Sequence, residues 1–427
     1  MQAHLVSFVA LALGVSSAGA QAPRNAFLLV GASVETGTGQ TLRNAFVAVE
    51  GERIVYVGPT KPTKTYTEVS ATGLWVYPGF MDPFVTRGLT LPAAKENTAV
   101  DTTTTAPAGM LAVNNKGVRP QLVASELLDN KTVAEDLQTH GFTHYAVMPG
   151  VGLFRGQAGV IDAVERTDAN KSAIVRRASA GMGMSLSGGP GQGYPGSAFA
   201  QIALIRQTFY DALRYGEAVK ADPKEKAETL EGLQPLVSFK VPAIFQVDST
   251  REIERAFRLQ DEFGFNMVLA QARDAGPFAA QLVERRVPII SSMVLGVRPS
   301  QNDRNPIPEP ILAEQQAEWD ARVEGLVTLA KTKGLQFALS NQGDNASSFF
   351  VNLQKAIEQG VPKEVALRAI TLGPAEIYGI SAELGTIEAG KRANLTILTK
   401  EFTDPNVTVH GVVIGGQYLP KKKAETK

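Results

Sequence analysis

The 427-residue sequence contains no cysteine. That absence removes thiolate nucleophiles, thiolate metal ligands and disulfide staples together. Histidine is nearly as scarce, with only His4, His140, His144 and His410 available for imidazole chemistry. Charge of either sign is not in excess: 42 Lys and Arg balance 42 Asp and Glu. A neutral chain offers no basic surface for nucleic acid, no polybasic tract for lipid and no long-range steering of a charged ligand. Long apolar runs are also missing. A membrane span needs about 20 consecutive apolar residues, and the N-terminal run at residues 5–15 is shorter than that.

That run has the length of a signal-peptide core, and Ala18-Gly19-Ala20 follows it as a small-x-small cleavage pattern ahead of Gln21. Only the free amine and His4 can charge the segment before it. The expectation is export with cleavage after residue 20, to the periplasm, the cell envelope or the exterior, with no membrane span left afterwards. An uncleaved anchor is the alternative. Without a lipobox cysteine the chain is not a lipoprotein.

With 44% hydrophobic and 20% charged residues, the rest reads as globular, long enough for one large domain or two ordinary ones. Residues 27–58 hold alternating and β-branched segments, and Glu50-Gly51-Glu52 turns one of them into the next as a hairpin. Residues 407–413 alternate as a further strand near the other end. Between them, apolar strand candidates at 144–148, 241–245, 266–270, 287–290 and 335–339 alternate with helical patterns at 250–263, 278–285, 313–332 and 352–359. That is the pattern of repeated βα units. Two stretches read as loops: residues 90–120, and the glycine-rich 187–196. The second follows no clear strand and carries prolines, so it does not make a phosphate loop.

Tyr77-Pro78-Gly79-Phe80-Met81-Asp82-Pro83-Phe84-Val85-Thr86 resembles the opening motif of the amidohydrolase superfamily, Pro-Gly-hydrophobic-hydrophobic-Asp-x-His-x-His. Leu384-Gly385-Thr386-Ile387-Glu388, continuing through Gly390-Lys391 to Ala393-Asn394-Leu395, is similar to its closing signature. The segments 140–143, 152–157 and 203–212 look like an exported bacterial branch related to imidazolonepropionase-like amidohydrolases. The resemblance spans nearly the whole chain after residue 20. It implies an α/β fold: a TIM-like (β/α)8 barrel over 78–380, with a small β-sandwich built from 21–77 and 381–427, and active residues at the C-terminal strand ends.

The resemblance also implies zinc or another divalent metal, and here the residues depart from the family. The two histidine positions hold Phe84 and Thr86. On a strand they share a face, but phenyl offers no lone pair and a neutral hydroxyl is a poor zinc ligand. The later strand-end histidine is replaced by Gln246, and the next strand ends in Ala270-Gln271. The last-strand aspartate, which ligates metal and takes a proton from bound water, is replaced by Asn341, whose amide cannot accept one at neutral pH. Asp344 is a weak substitute, read more simply as a loop or helix-cap carboxylate. Asp82 and Asp248 are the other acids near the mouth; the first reads as framework and the second as a helix-start residue. His140 and His144 are separated by Gly141, so a helix end and a strand start fit them better than a metal pair. No Gly-x-Ser-x-Gly elbow is present. Arg206, Gln207 and Asp211 read as an interior polar network.

The expectation is therefore a chain of amidohydrolase fold without metal or other cofactor, acting as a binding or assembly subunit of the envelope. Its partner would be an identical chain, another envelope protein or an active homologue, and its mouth would hold a small amide-bearing or peptide-like ligand. The alternative is an atypical amidohydrolase acting on a cyclic amide or peptide-like molecule.

Overall fold

A computed structural model describes residues 26–92, 117–187, 195–221, 227–301, 306–341 and 346–421. The expected signal segment, Asp344 and most of the two expected loops lie outside these residues. The chain opens with β1 (Ala26–Glu35), β2 (Thr41–Glu50), β3 (Arg53–Gly58), β4 (Thr67–Ser70) and β5 (Trp75–Pro78). It ends with β14 (Leu395–Leu398), β15 (Val409–Ile414) and β16 (Gln417–Pro420). These eight strands form one hydrogen-bonded sheet in which β5 pairs antiparallel with β14, so the two ends meet directly. Leu29, Val47, Val76, Leu395 and Val413, each fully buried, make its core.

The second sheet begins with β6 (Phe80–Val85). It continues through β7 (Phe142–Val147), β8 (Phe154–Asp162), β9 (Val175–Ser185), β10 (Ala243–Gln246), β11 (Met267–Ala270), β12 (Ile289–Ser292) and β13 (Phe337–Ser340), paired in sequence order. The helices between and after them are α1 (Lys131–Thr139), α2 (Ala198–Ala221), α3 (Glu228–Val237), α4 (Thr250–Phe263), α5 (Ala279–Glu284), α6 (Glu309–Lys331), α7 (Phe349–Glu358), α8 (Lys363–Ala369) and α9 (Leu372–Ile377). From β9 to β13 every pairing is parallel. β8, however, is antiparallel to both neighbours. The links 148–153 and 163–174 carry no helix, and strands joined without a crossover run antiparallel. The expected uniform (β/α)8 repeat is therefore interrupted by a meander at β7–β8–β9.

Alternation divides the layers. Met81, Ala146, Val160, Ala180, Ile244, Val268, Ile290 and Ala338, from all eight strands, share one inner cluster, with Phe84 in it. Their outward neighbours, such as Phe245, Leu269, Ile289 and Leu339, pack in the helix-facing core. The edge strands β6 and β13 lie against each other, yet no backbone ladder joins them among the described residues. The seam is held otherwise. Met81 N donates to Ile370 O at 2.9 Å, the Tyr378 hydroxyl donates to Pro83 O at 2.6 Å, and Ser340 Oγ donates to Asp82 Oδ1 at 3.0 Å.

Candidate functional site

The C-terminal ends of β6, β10 and β11 surround a cavity of about 340 Å³ lined by Phe84, Thr86, Gly150, Gln246, Asp248, Gln271 and Arg273. Five positions named from the sequence, Phe84, Thr86, Gln246, Asp248 and Gln271, thus come together although more than a hundred residues separate the first from the last. Phe84 is 2% exposed and belongs to the inner core, so it forms an apolar wall. Thr86 and Gln246 are half-buried. At the rim, Arg273 Nε and Nη2 donate to the two Asp248 carboxylate oxygens at 2.6 and 2.5 Å. Asp248 is thereby neutralised by a bidentate ion pair.

Asn341 does not reach the cavity. Ser340 points inward on β13, and the next residue faces the opposite way. Asn341 Oδ1 accepts from Asn352 Nδ2 at 2.9 Å, and its own amide nitrogen lies 3.3 Å from Ser348 Oγ. The expectation that position 341 belongs to the mouth is corrected by that one-residue alternation. Asp82 is fully buried and accepts from Phe84 N at 3.1 Å as well as from Ser340. Burial pushes its carboxyl up to about 6, against the lowering effect of those two donors. It lies in the β6–β13 seam.

The sequence reading assigned no role to Arg155, and it named Gln271 only as the end of the strand where the family has a further ligand. Arg155 sits on β8 at 2% exposure, and its Nη2 donates to Gln246 Oε1 at 2.7 Å. A guanidinium inside the run Gly152-Leu153-Phe154-Arg155-Gly156 was the available signal, because arginine is rarely fully buried without a partner. Gln271 adopts a left-handed backbone (φ 63°) and its Nε2 lies 3.3 Å from Ser340 Oγ. A non-glycine residue in that region stores strain, which concentrates at functional sites. Arg206, Gln207 and Asp211 prove peripheral, with Arg206 paired to Glu262 on the surface rather than in an interior network.

Residues 330–419 match the family model described as the amidohydrolase family. An amidohydrolase from Thermotoga maritima MSB8 superposes with a TM-score of 0.74 at 22% identity, covering 92% of this chain and 99% of that one. The chain has the amidohydrolase fold. An ochratoxinase of A. niger gives a TM-score of 0.55 at 16% identity, over 93% and 96% of the two chains. A prolidase complexed with N-methylphosphonate-L-proline gives 0.55 at 15%, over 93% and 100%. No curated protein matches the chain in sequence.

Among the described residues, the donors that line this cavity do not fit a divalent metal: they are a phenyl ring, a hydroxyl, two carboxamides and one carboxylate already held by Arg273. Zinc favours imidazole, thiolate and free carboxylate. Among the described residues, no three His, Cys, Asp or Glu side chains are grouped so as to hold an ion. His144 is fully buried on β7, with Nδ1 2.8 Å from Thr143 Oγ1. His140 caps α1 against Asp136, and His410 is exposed on β15 in the other sheet.

Proposed function

We propose that this chain is an exported protein of TIM-like (β/α)-barrel amidohydrolase fold that binds a small amide-bearing or peptide-like ligand in its mouth cavity without a metal ion. In this reading it is a non-catalytic binding or assembly subunit of the cell envelope. The observation that carries the reading is the cavity lining: Phe84, Thr86 and Gln246 stand at the mouth, while the nearby Asp82 carboxylate is turned into the β6–β13 seam. Carboxamides both donate and accept, which suits an amide-bearing ligand. A cavity of about 340 Å³ falls at the small end of ligand sites. Export rests on residues 5–20, and assembly with an identical chain, another envelope protein or an active homologue completes the proposal.

Hydrolysis is the second reading, favoured by neighbours whose structures are those of a prolidase and a Xaa-Pro dipeptidase. The test is product release from a panel of dipeptides, N-acyl amino acids and cyclic amides, with and without added Zn²⁺ or Mn²⁺. The binding reading expects no turnover in either condition. Metal-stimulated turnover that disappears with chelator would replace it by the second. Co-purification from native envelopes tests assembly, and a lone monomer would count against it.

A further inference from the structure

The outer face of α2 carries apolar side chains that nothing covers among the described residues. Phe199 is 85% exposed, Tyr210 53% and Leu213 46%. With Ile202, Ala203 and Arg206 they recur at three- and four-residue spacing, which sets them in one stripe along the helix. α4 lies beside that stripe. The two helices enclose a groove of about 500 Å³ whose lining includes Phe199, Ile202, Tyr210, Arg255, Arg258 and Leu259. Contiguous apolar surface of this kind marks an interaction site.

The groove is also basic. Arg206 Nε donates to Glu262 at 2.6 Å, and the Tyr210 hydroxyl donates to the same carboxylate at 3.0 Å. That carboxylate offsets one guanidinium. Arg255 and Arg258 have no acidic partner among the described residues. Two cations thus stand uncompensated beside an apolar floor, in a chain whose total charge is zero. Such a groove fits a helix that presents apolar contacts together with carboxylates.

The same chain exposes a helix of that kind. Before Arg322, α6 buries only Leu312, while Pro310, Ile311, Glu314, Ala317, Glu318 and Ala321 are exposed. Glu314 and Glu318 are one turn apart on this face, and no cation pairs with either among the described residues. Asp320 and Arg322 are already engaged, with Arg298 and Asp274. The helix runs about 15 Å from Ile311 to Ala321, against about 16 Å for the stripe from Phe199 to Tyr210. Both surfaces are exposed on one chain, so they meet between copies.

We propose that the α2–α4 groove is a self-association surface whose occupant is the N-terminal half of α6 from a second copy of this chain. In the pair, Glu314 and Glu318 lie against Arg255 and Arg258, and Ile311 packs on Phe199 and Ile202. Each copy offers one groove and one helix, so the contact made reciprocally closes a twofold dimer. This rests on the assembly part of the proposed role and names its partner and surface; the mouth cavity takes no part in it.

The test is sedimentation equilibrium of the purified chain over a concentration series. The wild type should associate, and more weakly as salt rises, because rim charges are screened. Arg255→Glu with Arg258→Glu should raise the dissociation constant at least about tenfold, and so should Glu314→Lys with Glu318→Lys. None of these four side chains is buried, so each double variant should keep the wild-type melting temperature. Mixed in equal amounts, the two double variants should recover the wild-type constant. The reversed helix of one then meets the reversed groove of the other, and the second contact is native. Phe199→Ser should weaken association without changing any charge. A wild-type chain that is monomeric throughout overturns the proposal and leaves another envelope protein as the partner, read by co-purification. Association that neither double variant weakens places the interface elsewhere and overturns it, while keeping assembly with an identical chain. Weakening by both without recovery on mixing overturns the pairing of this groove with this helix. Should a double variant not fold, the single changes Arg258→Glu and Glu314→Lys, with their mixture, decide in its place.

Discussion

Burial holds the Asp82 carboxyl at about 6, above its ordinary 3.8, while Phe84 N, Ser340 and the nearby Arg87 charge pull the other way. Between about pH 4 and 6 the folded chain therefore keeps a proton that the unfolded chain has released. The stability tied to that proton is complete below about pH 4 and is lost as pH rises through 6. Asp82→Asn keeps an acceptor for both donors and carries no charge. Its melting temperature relative to wild type should rise between pH 4 and 7, by an amount corresponding to roughly 3 kcal/mol. A constant difference across that range would show that Asp82 is not protonated in the fold. At this scale the family resemblance put Phe84, Thr86, Gln246 and Asn341 at ligand positions, and the first three line the cavity. It misplaced Asn341 because β13 is only four residues long and a single step reverses the face. Arg155 was hidden for another reason: its partner Gln246 lies 91 residues away.

Among elements, α6 packs on the 276–278 turn through two glycines. A Cβ on Gly276 would lie 2.3 Å from Gly325 Cα, closer than atoms tolerate. Gly276→Ala should therefore push α6 off the turn and destabilise the fold by about 2 kcal/mol, read as a lower urea midpoint with an unchanged slope. An unchanged midpoint would mean that the two glycines are not in contact. The amphipathic helix α4 was legible to the residue, Thr250–Phe263, because its apolar stripe is regular and Gly264 closes it in the left-handed conformation. The β7–β8–β9 meander was not legible. β7 and β8 are buried on both faces, as is the second half of β9, so they lack the alternation that distinguishes a half-exposed antiparallel strand.

For the whole molecule, the joining of the chain ends was readable from the opening and closing motifs, and the β5–β14 ladder is its physical form. Leu395, Ile397 and Val413 are at most 1% exposed in the core they share with β1 and β2. Deleting residues 395–421 should leave β5 an open apolar edge, and the truncated chain should be aggregated and lack a cooperative thermal transition in circular dichroism. A soluble, cooperatively folding product would show that the fold does not need β14–β16. The proposed metal-free binding role depends on the described mouth residues holding no ion. Its most direct test is the metal content of the purified chain after saturation with Zn²⁺, Mn²⁺ or Fe²⁺ and desalting, measured by mass spectrometry of the elements. The expected result is a trace far below one ion per chain, and near-stoichiometric, tightly held metal would contradict it.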